Sequence, residues 1–253
     1  MSNETGRVVL VTGGTMGIGY AIAERFLKNG DKVVITSRSE KTGKQAEEQL
    51  SRLGEVVWLK TDVSDENMCK AAAEFCQMKY GRLDVLINNA GTVGARGDIF
   101  HQETENIRTV INTNVFGTIF MTKYAALLMK DQGKGVIVHI GSLAGAIANP
   151  DSLAYIASKG AIRMLTQSNA RELSPFGIRV VSAAPGWVRT PLLQDLVEKG
   201  LEDISHGASR HMKGRILETE EIANVVFFLS GDEASAINGS TVMVDDGFVS
   251  FKM

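Results

Sequence analysis

Cysteine is scarce: the 253-residue sequence contains only two, Cys69 and Cys76. They lie seven positions apart in a segment that we expect to be helical, so about 10 Å along the helix axis separates them. A disulfide cannot span that distance. Neither this spacing nor that of His101, His206 and His211 suits a metal ion. The sequence therefore predicts two packed thiols and no metal site.

An excess of one charge and long apolar runs are also absent. The net charge is -2 with both signs interspersed, which argues against a nucleic-acid partner or a membrane surface. No run approaches the roughly 18 apolar residues that a membrane span needs. Residues 1–7 lack the apolar core of a signal peptide. We therefore expect a cytoplasmic protein that acts on a small molecule.

What the sequence does contain is a regular alternation of apolar runs and helical segments. Residues 7–12 form a nearly continuous β-branched run, typical of a strand buried on both faces. A glycine-rich turn and a helical segment at 20–29, which Gly30 ends, lead to a second apolar run at 32–36. Such a βαβ unit joins parallel strands, so a parallel sheet is expected to begin here.

The same alternation continues to the end of the chain. Further strands are predicted at 56–59, 83–87, 135–140, 178–183 and 240–244, and further helices at 40–52, 65–80, 103–130, around Tyr155 and at 218–229. We therefore predict an α/β fold over residues 1–253, a single doubly wound domain of the Rossmann type with about seven parallel strands and helices on both faces. The irregular region at about 187–214, which contains short helical pieces such as 192–199, is expected to cover the substrate, and a surface insertion is the alternative.

The glycine-rich turn after the first strand predicts a dinucleotide site. Gly13, Gly17 and Gly19 stand between a strand and a helix, where backbone N–H groups can cradle a pyrophosphate. A side chain at Gly17 would block the phosphates, and one at Gly19 would crowd the helix against the strand. A tight turn that binds nothing is the alternative. The expected cofactor contacts in this turn are Gly13, Thr15, Met16, Gly17, Ile18 and Gly19.

The end of the second strand indicates which dinucleotide is preferred. An acid is expected there if the ribose 2′-hydroxyl of NAD must be bound, but the chain continues with Ser37 and Arg38 and has no carboxylate until Glu40. A guanidinium can bind a 2′-phosphate bidentately, which favours NADP(H) over NAD(H); a merely solvated Arg38 is the alternative. Asp62 and Val63 lie beyond the third strand. We expect them to contact the adenine, and a helix-capping loop is the alternative.

A tyrosine and a lysine, Tyr155 and Lys159, lie four residues apart. They share a face only if the segment is helical, which the turn residues at 149–152 favour. An ammonium beside a phenol favours the phenolate, so we expect the pKa of Tyr155 to fall below its ordinary value of about 10. An exposed pair without function is the alternative.

Six ordered motifs extend over nearly the whole chain. They are Thr12–Gly19, Asn88–Gly91, Asn114, Ser142, the Tyr155–Lys159 pair and Pro185-Gly186. In order and spacing they resemble the short-chain dehydrogenase/reductase family. Residues 12–23 and 189–192 are also similar to its (R)-specific secondary alcohol dehydrogenases, and ketoacyl reductases have similar sequences at these positions.

The resemblance implies a catalytic role for four residues. Tyr155 would be the general acid in ketone reduction, and Lys159 would lower its pKa and bind the nicotinamide ribose. Ser142 would hydrogen-bond the substrate oxygen, unless it is only a turn serine. Asn114 would hold a water in a proton relay from Lys159, although an asparagine in an apolar helix is often a satisfied core amide.

The resemblance also implies cofactor contacts and shows departures. Residues expected near the nicotinamide and its ribose are Asn88, Ala90, Gly91, Pro185, Gly186, Val188 and Thr190, together with Tyr155 and Lys159. Three positions differ from many relatives: Gly141 replaces a serine, His139 replaces an asparagine, and 245–247 reads Asp-Asp-Gly where Asp-Gly-Gly is more usual. We expect His139 to be a packed histidine.

The sequence as a whole predicts an NADP(H)-preferring oxidoreductase that interconverts a ketone and a secondary alcohol by hydride transfer. A 3-ketoacyl thioester reductase is the alternative within enzymes, with Arg96, Arg210, Lys213 and Arg215 as either a basic entry patch or a solvated rim. A dinucleotide-binding sensor is the alternative outside enzymes. Apolar residues on several faces of helices 103–130 and 155–174 suggest a homo-oligomer, a dimer or tetramer.

Overall fold

Seven parallel strands form one sheet in the order β3-β2-β1-β4-β5-β6-β7. The computed structural model describes residues 6–148 and 150–251; residues 1–5 and Asn149, which entered the predictions above, lie outside the described residues. The strands are β1 (Val8–Thr12), β2 (Lys32–Ser37), β3 (Val56–Lys60), β4 (Val85–Asn88), β5 (Gly135–Ile140), β6 (Ile178–Pro185) and β7 (Thr241–Val244). The predicted Rossmann-type sheet of seven strands is confirmed.

Helices cover both faces of this sheet. They are α1 (Gly17–Leu27), α2 (Glu40–Leu50), α3 (Glu66–Tyr80), α4 (Thr104–Ile111), α5 (Gly117–Gln132), α6 (Leu153–Leu173), α7 (Pro191–Glu198), α8 (Ile204–Ser209), α9 (Thr219–Leu229) and α10 (Phe248–Phe251). Because side chains alternate across each strand, β1 sends Val9 and Val11 into one core and Val8 and Leu10 into the other. Burial on both faces explains the continuous apolar run.

The two cysteines lie on the buried face of α3. Both are fully buried free thiols, as predicted, and their Sγ atoms contact the carbonyl oxygens of Val63 and Ala72. Burial raises the pKa of each thiol to about 12. At neutral pH they therefore remain protonated and pack as small apolar groups.

The helix predicted over 103–130 is interrupted. A π-helical turn at Asn112–Phe116 separates α4 from α5, and it turns the Asn114 side chain inward. The Asn114 amide accepts from Thr92 N (2.8 Å) and donates to Thr92 O (2.9 Å). Gly117 then lets α5 pass close to the loop after β3, because a Cβ there would lie 2.7 Å from Val63 Cγ2. Such π turns are often found at functional sites.

The segment 187–214 contains two short helices, α7 and α8, within an otherwise irregular region. Thr190 caps α7 by accepting from Leu193 N, and Asp203 caps α8 by accepting from Ser205 N. The helical piece predicted at 192–199 is found one residue earlier. Both helices follow the carboxyl end of β6, so they lie at the edge of the sheet where open α/β folds bind ligands.

Within the described ranges, no helix has both the length and the apolar character required to cross a membrane. The same residues contain no cluster of three or more histidine, cysteine or acidic side chains arranged to hold a metal ion.

Candidate active site

A cleft of about 550 Å³ runs along the carboxyl ends of the strands. Nearly all the predicted site residues line it. They are Gly13, Thr15, Met16, Gly17, Ile18, Gly19, Ser37, Arg38, Asp62, Val63, Ala90, Gly91, Ser142, Tyr155, Lys159, Pro185, Gly186, Val188 and Thr190. Asn88 and Asn114 are the two predicted residues outside this lining.

The glycine-rich turn fits an anionic group. Gly13 and Gly17 have positive φ angles of 64° and 54°, which glycine adopts without strain. Among the described residues no side chain caps the start of α1, whereas Ser39 and Asp65 cap α2 and α3. The first N–H groups of α1 therefore remain available to a pyrophosphate. The residues fit a dinucleotide here because the backbone supplies donors and no side chain obstructs them.

Gly19 is needed for a different reason from the one predicted. A Cβ at Gly19 would lie 2.3 Å from Gly13 O and 2.4 Å from Asn89 Nδ2. It would therefore collide with the turn itself and with an asparagine that supports it, rather than push the helix away from the strand.

Asn89 supports the turn, and sequence reasoning missed this role. Its amide donates to Thr12 O (2.9 Å) and Gly13 O (3.0 Å), while its backbone N–H donates to Thr12 Oγ1 (3.0 Å). Asn88 instead turns to the opposite side of the sheet, where its amide donates to Thr122 Oγ1 (3.0 Å) and contacts His139 Nδ1 (3.2 Å). Strand alternation was the signal: of two adjacent asparagines, only one can face the cleft.

One end of the cleft is polar and open. Ser37 and Arg38 lie there with Ser39 and Thr42 from the start of α2. Arg38 is exposed and makes no ion pair with any residue in the described part of the chain. Asp62 lines the same end, but its carboxylate accepts from the backbone and hydroxyl of Ser64 (3.0 and 2.7 Å). Asp62 thus also belongs to the turn before α3.

Tyr155, Lys159 and Ser142 meet near the middle of the cleft. Lys159 Nζ donates to Ile140 O (2.7 Å) and lies 5.7 Å from the centre of the Tyr155 ring. Burial lowers the pKa of Lys159 to about 8. Burial also raises the pKa of Tyr155, and a hydrogen bond with Ser142 partly opposes that rise.

The predicted lowering of the Tyr155 pKa by Lys159 is therefore wrong for this structure. The cost of burying a phenolate outweighs an ammonium that is itself desolvated and engaged with a carbonyl oxygen. Ser142 hydrogen-bonds the Tyr155 side chain, and it is also a turn serine, because its Oγ accepts from Ala144 N (3.1 Å).

Asn114 is buried and contacts α6, the helix that carries Tyr155 and Lys159. Its amide donates to Ser158 Oγ (2.9 Å), and that hydroxyl donates to Tyr155 O (2.7 Å). Asn114 thereby links the loop at Thr92 to the helical turn that carries Tyr155 and Lys159. It contacts neither of those two side chains directly in the described structure.

His139 is a fully buried histidine, as expected. Its Nδ1 contacts Asn88, and its Nε2 has no partner among the described residues. Burial, and secondarily the charge of Lys159, lowers the pKa of His139 to about 3. The ring is therefore neutral at physiological pH.

The other end of the cleft is apolar and is covered by α7. Its lining includes Leu143, Ala144, Trp187, Leu192, Leu193 and Leu196. Arg96, from the loop after β4, forms an ion pair with Glu202, from the segment between α7 and α8. Both of these side chains line the cleft and are more than half buried. The pair joins the cover to the opposite wall.

His211 ties the cover to the loop after β6. Its Nε2 accepts from Trp187 N (3.3 Å), and its Nδ1 bonds to Gly207 O (3.0 Å). The Trp187 indole packs on Gly207, where a Cβ would lie 2.1 Å from Cε3.

Asp246 strengthens the same region. It adopts a positive φ of 44° in place of the usual glycine, and its carboxylate accepts from Lys213 N (2.7 Å).

Known proteins resemble this chain over nearly its full length. A family profile described as enoyl-(acyl carrier protein) reductase matches residues 13–249. A Thermotoga maritima protein named "uncharacterized oxidoreductase" is 40% identical over 96% of this chain and 95% of its own. The NADP-dependent (R)-specific alcohol dehydrogenase of Lentilactobacillus kefiri is 33% identical over 96% of each chain.

Among solved structures, "ElxO with NADP Bound" superposes with a TM-score of 0.90 at 33% identity, covering 97% of this chain and 100% of its own. The sheet order, the glycine-rich turn, the Ser142, Tyr155 and Lys159 cluster and these matches all agree. The chain belongs to the short-chain dehydrogenase/reductase family, and it is an NAD(P)-dependent oxidoreductase acting on alcohols and ketones or on ketoacyl groups.

Proposed function

We propose that this protein is an NADP(H)-preferring oxidoreductase that interconverts a neutral ketone and a secondary alcohol. The observation that carries the proposal is the convergence of Ser142, Tyr155 and Lys159 between a polar and an apolar end of one cleft. A dinucleotide suits the polar end, and a small carbonyl compound suits the apolar end. The reacting atoms would then meet beside the Tyr155 hydroxyl.

Tyr155 supplies the proton in this proposal. A bound reduced nicotinamide supplies the hydride. Because burial raises the pKa of Tyr155, the phenol keeps its proton at neutral pH until charge develops on the carbonyl oxygen, which suits a general acid. Ser142 donates a hydrogen bond to the same oxygen. The cluster thereby binds and protonates a single atom of the substrate.

Lys159 and Asn114 hold and replenish that proton donor. With a pKa lowered to about 8, Lys159 exchanges protons near neutral pH more readily than an exposed lysine does. Its ammonium is expected to bind the nicotinamide ribose. Asn114 fixes the helical turn through Ser158, and the water relay predicted for it remains a proposal.

Arg38 supports the preference for NADP(H). It is exposed at the polar end of the cleft, beside the Ser37 hydroxyl and the start of α2. A carboxylate at that place would repel a 2′-phosphate, and none of the cleft-lining residues at this end other than Asp62 is acidic. A guanidinium free to form two hydrogen bonds favours the phosphorylated ribose.

The apolar end favours a neutral ketone with an apolar body. Leu192, Leu193 and Leu196 form the α7 wall, and the one arginine among them, Arg96, is neutralised by Glu202. A substrate carboxylate would have to displace Glu202. The segment 187–214 is accordingly proposed to cover the substrate, with this ion pair across its mouth.

A ketoacyl thioester is the second candidate substrate, favoured by the acyl-carrier description of the matching profile. The basic patch that such a partner would need is weakened in the structure. Arg96 pairs with Glu202, Arg215 pairs with Glu221, and Arg210 stacks on Phe248. These contacts support the simple ketone over a carrier-bound substrate.

The test is a turnover screen with both cofactors. The purified protein is mixed with NADPH or NADH and with apolar ketones, keto acids and a 3-ketoacyl thioester, and absorbance of the reduced nicotinamide is followed. We expect apolar ketones with NADPH to react fastest. Faster reaction of the thioester would select the second candidate. Cofactor binding without turnover of any carbonyl compound would contradict both.

The assembly and location expected from the sequence stay predictions. Exposed apolar side chains on the π turn, α5 and α6, namely Phe116, Leu127 and Met164, are 45%, 53% and 60% exposed. A second copy of the chain would bury them. Light scattering measures whether the mass in solution is a multiple of 27.3 kDa.

A further inference from the structure

Trp58 makes a directed contact with the cofactor end of the cleft without lining it. Its indole Nε1–H donates to Ser37 Oγ (2.9 Å). In the sheet, Trp58 of β3 pairs with Ile35 of β2, two residues before Ser37. Side chains two apart in a strand share a face, so the indole extends along the sheet to the hydroxyl at the end of β2.

Two further contacts hold the indole in that position. The backbone N–H of Trp58 donates to Glu47 Oε1 (2.9 Å) of α2. Gly43 of α2 leaves the space that the ring occupies, because a Cβ there would lie 2.0 Å from Trp58 Cε2 and 2.2 Å from Nε1. An alanine at a helix interior is otherwise the better helix former. Gly43 is therefore explained by the space that Trp58 needs and not by the stability of α2.

The hydrogen bond from Trp58 determines the direction in which the Ser37 hydroxyl can donate its proton. A serine hydroxyl has one proton and two acceptor sites. The indole N–H occupies one acceptor site, and the proton is directed to Ser39 O across a long 3.4 Å contact. A phosphate oxygen is a stronger acceptor than a carbonyl oxygen. The hydroxyl is thus held ready to donate to an anion beside Arg38.

We propose that Trp58 is a positioning residue for cofactor selectivity, which orients the Ser37 hydroxyl toward the 2′-phosphate of NADP(H) in the space that Gly43 provides. The inference rests on the proposed preference for NADP(H) and names a part of its cause. The discrimination between NADP(H) and NAD(H) then depends on two residues: Arg38 supplies the positive charge, and Ser37 supplies a directed hydrogen bond. A Trp58 that only fills the core would affect phosphorylated and unphosphorylated ligands equally.

The experiment compares 2′,5′-ADP with 5′-AMP, two probes that differ only in the 2′-phosphate. Isothermal titration gives both dissociation constants without any turnover. In the wild-type protein we expect 2′,5′-ADP to bind at least about tenfold more tightly. In Trp58→Phe, which keeps an aromatic ring and loses the N–H, we expect that ratio to fall about three- to tenfold, with 5′-AMP affinity and kcat nearly unchanged.

Further variants identify the route of the effect. Ser37→Ala should lower the ratio as much as Trp58→Phe, and the double variant should lower it no further, because both act on one hydroxyl. Gly43→Ala should displace the indole and give the same loss. Gln45→Ala, on the exposed face of the same helix, is the control and should keep the wild-type ratio.

The possible failures are distinguishable. Equal binding of the two probes by the wild-type protein would overturn the preference for NADP(H), and the role of Trp58 with it. A wild-type protein that discriminates, together with Trp58→Phe and Gly43→Ala variants of unchanged ratio, would overturn the role of Trp58 alone. Equal weakening of both probes in these variants would do the same, since it marks a purely structural tryptophan.

Discussion

The two ends of the cleft are built in different ways. At the cofactor end, strand ends and backbone N–H groups supply the contacts, and Gly13, Gly17 and Gly19 keep side chains out of the way. At the substrate end, side chains from distant segments supply the wall, and the Arg96–Glu202 pair joins them. Backbone contacts tolerate change in most side chains, whereas side-chain contacts do not. Selectivity for substrate can thus vary while the cofactor site is kept.

Tyr155, at the junction of the two ends, should show the largest effect. Tyr155→Phe removes the general acid and should lower kcat by about 10²–10⁴-fold, with cofactor affinity within a few-fold of wild type. Tyr124→Phe is the control, because the Tyr124 hydroxyl bonds to Glu66 outside the cleft. Steady-state kinetics and cofactor titration measure both quantities. A Tyr155→Phe variant that retains most activity would refute the proposed role.

Lys159 at the same junction should make stability depend on pH. Its pKa is lowered to about 8 from 10.5, so between these values the folded protein binds fewer protons than the unfolded chain and gains stability as pH rises. Below about pH 8 the full cost of the buried charge, of order 3 kcal/mol, is present. Relative to Lys159→Met, the free energy of unfolding of the cofactor-free wild type should therefore rise between pH 8 and 10.5 in denaturant titrations. A constant difference would contradict this.

Gly19→Ala should disable the cofactor end alone. The added methyl would collide with Gly13 O and Asn89 Nδ2, so the turn must deform at a cost of about 1–3 kcal/mol. We expect NADPH and NADH to bind about 10–100-fold more weakly. Gly160→Ala is the matched control, since a Cβ there meets nothing within 4 Å. Unchanged affinity of Gly19→Ala for both cofactors would show that the turn does not bind them.

Arg38→Ala should sharpen the difference between the two cofactors. Loss of charge-assisted hydrogen bonds should raise the KM for NADPH about 10–100-fold and leave that for NADH unchanged. Lys41→Ala removes a nearby exposed charge of α2 and should have little effect. Equal changes for the two cofactors would mean that Arg38 does not recognise the 2′-phosphate.

The smallest effect is expected at the substrate end, from the Arg96–Glu202 pair. Arg96→Gln should raise the KM for an apolar ketone about two- to tenfold, because the cover loses one tie to the opposite wall. Cofactor affinity should not change. The exchange Arg96→Glu with Glu202→Arg restores an ion pair and should recover most of the loss. If the exchanged protein behaves like Arg96→Gln, the pair does not hold the cover.

Much of the cofactor end was predictable from local sequence. The alternation of apolar runs predicted seven parallel strands, and the order strand, glycine turn and helix predicted the phosphate cradle. Ser37 and Arg38, with no carboxylate before Glu40, predicted a preference for NADP(H), and the structure has an exposed Arg38 directly after β2. These signals are readable because strand burial and backbone conformation leave a pattern in consecutive residues.

The substrate end and the electrostatics could not be predicted in this way. The pairing of Arg96 with Glu202 joins residues 106 positions apart. The choice of Asn89 over Asn88 depended on which face of β4 meets the cleft. The sign of the Tyr155 pKa shift depended on the depth of its burial.

The sequence by itself determined the fold class and the glycine-rich turn, and it singled out the cluster of Ser142, Tyr155 and Lys159 that the structure brings together. Each of these follows from residue types at short or regular spacing. Only the tertiary structure decided the electrostatic state of that cluster and the walls around it. Burial and contact between distant segments set pKa values and cavity shape, and no local pattern encodes them. The contact of Trp58 with Ser37 was likewise decided by the tertiary structure, because it forms only where β2, β3 and Gly43 of α2 come together.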